Sequence, residues 1–122
     1  MEALRQHLAS ADAVVFGRVL TVHRAPEPLA APISEHDPSW WVASARVIRS
    51  LKGDLKGEIE VRFPNSRDKA WYRVPKLKPD DEGIFLLHRG GPKLRASVLA
   101  IIHPEDFLPG DADEARRIAN LI

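Results

Sequence analysis

Five stretches of alternating or continuous apolar residues follow one another between positions 13 and 102, separated by segments rich in glycine, proline and aspartate. Helical spacing occurs only at the two ends of the chain. That succession constrains the fold more than any other feature. Each half-buried strand must hide one face, and strands in a row do so by closing or stacking, so the expected class is all-β with terminal helices, a small barrel or sandwich. The clearest strand runs from Glu58 to Phe63, where Ile59, Val61 and Phe63 face a core and Glu58, Glu60 and Arg62 face water. Before it, from Trp40 to Leu51, the residues Trp41, Ala43, Ala45, Val47 and Leu51 share one face against Val42, Ser44, Arg46 and Ile48. In "AVVFGRVLTV" both faces are apolar, Val14, Phe16, Leu20 and Val22 on one and Val15, Val19 and Thr21 on the other. Gly17 inside this run predicts a bend or bulge. "GIFLLHR", Gly83 to Arg89, reads as a central strand, "GGP" as a turn, and Arg95 to Ile102 as a fifth strand.

At the start, Leu4 and Leu8 lie on one side of a short helix over Ala3 to Ser10. At the end, Asp111 and Glu114 have capping-box spacing, followed by the stripe Ala115, Ile118, Ala119 and Ile122. Two long connections lack either period: "HRAPEPLAAPISEHDPSW", and "PNSRDKAWYRVPKLKPDDEG" with an extended piece expected at Ala70 to Val74. A length of 122 residues fits one domain, with the barrel over about 11–102 and the helix over about 111–122.

Eighteen lysines and arginines against seventeen acids give a net charge of +1, which argues against both disorder and a dedicated nucleic-acid binder. The absence of cysteine removes disulfides, thiolate metal sites and a cysteine nucleophile. No apolar run reaches the ~20 residues of a membrane span. Met1-Glu-Ala-Leu-Arg-Gln-His has no signal-peptide pattern, so the expectation is a cytoplasmic chain as it stands, or an export signal outside these residues.

In "VIRSLKGDLKGEIEVRF" two Lys-Gly steps raise the question of a phosphate cradle. A Walker-type loop needs a longer glycine spacing, a lysine after its second glycine and a helix to follow. Here Gly53 and Gly57 are too close, Lys56 precedes its glycine, and a strand with outward Glu58 and Glu60 follows. The segment reads as a strand-to-strand turn with glycines at positive φ.

Taken in order, "ADAVVFGRVLTV", a variable loop, "ARVIRSLKG", "EIEVRF", another loop and "GIFLLHR" resemble the netrin-like module. This is the oligonucleotide/oligosaccharide-binding (OB) barrel found in tissue inhibitors of metalloproteinases and in many bacterial proteins. The resemblance covers roughly Ala11 to Ile102, and rests on Ala11-Asp12 before a valine-rich strand with Gly17, on Leu51-Lys52-Gly53, and on Gly83 before "IFLL". It implies a five-stranded barrel. The metalloproteinase inhibitors chelate zinc through an amino-terminal cysteine. This chain begins Met1-Glu2 and has no cysteine, so that activity is not carried over. "SEHDPSWW" and "DKAWYRVPKLKPDDEGIFLLHR" are closer to stand-alone bacterial members, which have no settled biochemical role and are often exported.

Three constellations have chemical potential. Arg62, Arg67, Lys69, Arg73, Lys76 and Lys78 interleave with Phe63, Trp71 and Tyr72, a mixture with which OB barrels bind single strands; a solvated loop with core-closing aromatics is the alternative. Trp40 and Trp41 are adjacent, so on a strand one enters the core while the other faces out, as an interface anchor or as cover for a barrel end. Glu35-His36-Asp37, with His23, His88 and His103 elsewhere, has zinc or general-base chemistry but no ligand spacing; it reads as a solvated loop, and His88 as a barrel-rim residue. No serine lies in a nucleophile elbow.

The leading expectation is a non-enzymatic module binding a protein or peptide through Trp40, Trp71, Tyr72 and Arg73, without cofactor or metal. The second is single-stranded nucleic-acid or polyanion binding through Arg62, Lys69 and the rest of the 62–78 segment. The third is a metal-dependent hydrolase using His36 and Asp37.

Overall fold

A computed structural model of the chain describes residues 2–24, 40–65, 73–91 and 94–122. The elements are α1 (Glu2–Ser10), β1 (Ala13–Arg24), β2 (Trp40–Lys52), β3 (Glu58–Pro64), β4 (Glu82–Gly91), β5 (Leu94–Ala100), β6 (Phe107–Pro109) and α2 (Ala112–Ala119). Strands pair in the order β1-β2-β3-β5-β4, and β1 pairs again with β4, which closes five strands into a ring. All these pairs are antiparallel except β3 with β5. The all-β class with a helix at each terminus is as the sequence predicts. Among the described residues no helix is long and apolar enough to cross a membrane.

The inward faces of the ring form one core, with Val15, Val19, Ala43, Ala45, Val61, Phe63, Phe85 and Leu87 at its centre. Val74 and Leu77, from the connection between β3 and β4, are buried in the same cluster. A second cluster lies on the outer face of β1 and β4, where Val14, Phe16, Ile84 and Leu86 meet Leu8 of α1 and Ala115 and Ile118 of α2. This double burial explains why β1 and β4 are apolar on both faces. It also explains the terminal helices, each of which covers outward side chains that the ring cannot hide.

Bulges correct three expected facings. Val19 pairs with Ala45 and Thr21 with Ser44, so Leu20 is an extra residue in β1. Leu20 is therefore exposed, and Val22 turns inward against the barrel core rather than lying on the face of Val14 and Phe16. In β2 the pairing skips Ile48 and Leu51. Ile48 stands 52% exposed, and Leu51 joins the outer cluster instead of the inner face. One of these irregularities falls at Phe16/Gly17, where a bend was expected.

The Lys-Gly stretch is a turn. Gly53, Asp54 and Gly57 have φ of 89°, 53° and 71°, the left-handed region that glycine enters without a Cβ clash. Val47 N–H donates to Gly57 carbonyl at 2.7 Å and Leu55 N–H to Ser50 Oγ at 3.1 Å, fastening the turn onto β2.

The capping of α2 is as expected on one side only. Asp111 Oδ1 accepts from the amides of Asp113 and Glu114, whereas Glu114 turns its carboxylate to Arg117. The helix ends at Ala119, so Ile122 is 51% exposed and Leu121 packs in its stead. Two further differences concern the preceding segment. The fifth strand stops at Ala100 rather than Ile102, and a sixth, β6, pairs antiparallel with β4 through Ile84 and Leu108.

Candidate functional site

Among the described residues, two regions bear on a functional site. The first is the rim where β1 ends, β2 begins and β3 ends: Arg24 pairs with Trp41, and Trp40 with Pro64. Both long connections leave the barrel there, since residues 25–39 join Arg24 to Trp40 and the other connection begins after Pro64. The sequence-predicted binding residues separate at this rim. Trp40 is 5% exposed and Trp41 is half-buried against the barrel core, so the outward tryptophan expected at this step is not found. Strand alternation sends the two rings to opposite faces, but both faces of β2 are covered here: Val42, two residues on from Trp40, is fully buried too.

Arg62 is a second correction. It was expected to face water, yet it is only 6% exposed, because its register neighbours on the two sides are the fully buried Val42 and Ala100. Its Nη1 donates to Glu60 Oε1 at 3.3 Å, and desolvation lowers its pKa from the ordinary arginine value. Lys76 donates through Nζ to the Pro64 carbonyl at 2.6 Å, and partial burial lowers its pKa as well. Arg73 and Lys78 are exposed. Lys69, Trp71, Tyr72 and Arg67 lie outside the described residues, as do Glu35, His36 and Asp37 and most of the extended piece expected over Ala70 to Val74.

The second region was not expected from the sequence. The connection from β5 to β6 folds back on Asp106, whose carboxylate is fully buried. Asp106 Oδ2 accepts from the amides of Ile102 at 2.7 Å and His103 at 2.8 Å. Asp106 Oδ1 accepts from His88 Nε2 at 3.0 Å; a carboxylate only accepts, so this nitrogen carries the proton. The backbone of Asp106 is tied at both ends, its amide to the His103 carbonyl and its carbonyl to the Leu86 amide of β4. His88 is thus more than a rim residue. Its ring lies edge-on to that of His103, with centroids 5.2 Å apart. His7 of α1 follows, 6.2 Å from His103 between centroids, with Nε2 3.5 Å from Glu105 Oε2.

Three of the five histidines therefore meet from α1, β4 and the β5–β6 connection. Among the described residues, His88, His103 and Asp106 offer ligand atoms that all lie within 4.8 Å of one another. No spacing rule finds this group, because its members belong to segments that only the closed ring brings together. A scan against protein-family models finds no match, and a search of curated proteins finds none either.

Proposed function

We propose that the chain is a non-enzymatic binding module of the OB type, netrin-like in its order of elements, which recognises a protein or peptide at the rim where Trp40 pairs with Pro64, through Arg73 and its neighbours in the connection that leaves there. One observation carries the reading: both long connections of the chain leave the barrel from this rim. OB barrels bind through loops and strand faces at one side of a filled ring. Two further features support it. The ring order with its single parallel pair between β3 and β5 fits a five-stranded Greek-key barrel, and its interior is filled by side chains, which directs a ligand to the outside.

The chemistry favours a protein over a nucleic acid. Of the cations counted for phosphate tracking, Arg62 is buried beside Glu60 and Lys76 is engaged with a backbone carbonyl. Exposed Arg73 beside the sequence-adjacent Trp71 and Tyr72 is the mixture that anchors protein interfaces.

The test is selection from a random peptide library, followed by affinity measurement on purified peptides. The expected result is saturable binding that Arg73→Glu and Trp71→Ala each weaken by about tenfold or more, with a flat anisotropy titration against a labelled oligonucleotide at low salt. Oligonucleotide binding that weakens steeply with salt, or selected peptides indifferent to both substitutions, would overturn the proposal.

A further inference from the structure

We infer that His88, His103 and Asp106 form a binding site for a divalent transition-metal ion of the zinc class, independent of the rim. Two imidazoles and one carboxylate suit zinc, which takes nitrogen and oxygen ligands at about 2.0–2.2 Å in tetrahedral array. Two ligand atoms at that distance and angle stand about 3.3 Å apart. His88 Nε2 and Asp106 Oδ1 are 3.0 Å apart. An ion ~2.0 Å from a ring nitrogen sits about 3.2 Å from the ring centroid, so two imidazoles at the tetrahedral angle have centroids about 5 Å apart. The His88 and His103 centroids are 5.2 Å apart. The ring separation and the nitrogen–oxygen separation thus each suit coordination, while the full set of ligand atoms spans up to 4.8 Å and has to draw in around the ion.

The support around these atoms suits that use. Asp106 commits Oδ2 to two backbone amides, which fixes the carboxylate and leaves Oδ1 directed at His88. Such outer hydrogen bonds orient metal ligands and raise their affinity. His88 stands on β4, the most paired strand of the ring, and the Asp106 loop is tied to the same strand through the Leu86 amide. His103 is exposed, so its ring can turn to bring the widest ligand separation, 4.8 Å, down to the coordination distance. On binding, His88 changes tautomer: its Nε2 proton is exchanged through solvent for one on Nδ1, so the neutral ring presents the Nε2 lone pair and, with the Asp106 carboxylate oxygen, becomes a ligand. Three protein ligands leave a fourth position for water or a donor from a partner; His7, paired with Glu105, lies on the far side of the contact chain from His88, 6.2 Å from His103 between centroids.

A purely structural His88–Asp106 hydrogen bond makes no use of the His103 ring, and this separates the two accounts. Tag-free protein, stripped with chelator, is titrated calorimetrically with zinc chloride, and in parallel with cobalt(II) followed by visible absorption. The expected result is one equivalent bound, with the intense bands of four-coordinate cobalt. His103→Ala, at an exposed position, weakens zinc binding by about tenfold or more while keeping the fold; His23→Ala, at an exposed position on β1, leaves it unchanged. Absence of saturable binding, weak octahedral cobalt bands, or equal affinity in His103→Ala and wild type would overturn the inference.

Discussion

Replacing Asp106 with alanine removes a fully buried carboxylate that accepts three hydrogen bonds, two from backbone amides and one from His88. Hydrogen bonds to a charged group contribute about 1.5–3 kcal/mol each, but they share one site and are not additive, and breaking a buried pair costs about 3–5 kcal/mol as a whole. We therefore expect Asp106→Ala to lose about 3–5 kcal/mol. Unfolding entropy of about 2.1 cal/mol/K per residue makes each kcal/mol about 4 °C for a chain of 122 residues, so Tm falls by about 12–20 °C. Asparagine is the informative companion. Its amide oxygen keeps the Ile102 and His103 amides, and its NH2 donates to His88 once that ring changes tautomer. Asp106→Asn thus loses about 1–2 kcal/mol, or about 4–8 °C. Thermal unfolding in chelator, followed by circular dichroism, measures both without a metal contribution. The reasoning fails if Asp106→Ala melts within about 4 °C of wild type, or if asparagine proves as damaging as alanine.

Other perturbations probe the rest of the scaffold. A Cβ on Gly83 would lie 2.3 Å from the Leu108 carbonyl oxygen and 2.9 Å from Pro109 Cα, both backbone atoms. Gly83→Ala should push β6 off β4, costing about 2–4 kcal/mol in a denaturant titration and speeding hydrogen exchange at the Gly110 amide, which donates to Glu82. Lys52 donates through Nζ to the carbonyls of Leu8 and Ala9 at the C-terminus of α1, at 3.1 and 2.9 Å. Lys52→Met keeps the stem but loses the charge at the helix dipole, and should cost about 1 kcal/mol with faster exchange at the Ala11 amide. Phe107→Ala removes a ring 4.8 Å from that of Phe85 in the core and should cost about 3–5 kcal/mol by the same titration.

The regular elements were legible because their burial is one-sided and local: Val61 and Phe63 inward, Leu4 and Leu8 along one helix side, Asp111 before its helix. Legibility stopped where register intervenes. A period of two cannot register the extra residues Leu20 and Ile48, and every facing beyond a bulge inverts. Arg62 reads as solvent-facing from its own strand, and only its neighbours Val42 and Ala100 reveal otherwise. Phe107–Pro109 is too short and too proline-marked to announce a strand. The cluster of His7, His88, His103 and Asp106 was the least legible. Its members carry no mutual spacing, and Asp106 becomes a buried acceptor only when β4 brings His88 to it.

The most direct test of rim recognition is a 1H–15N NMR titration with a peptide selected against the protein. The account predicts amide shifts concentrated in residues 40–42, 62–65 and 73–78, with the amides of 46–49 and 112–116 unmoved. Shifts centred on those last two segments, the groove beside Ile48 and α2, would contradict it.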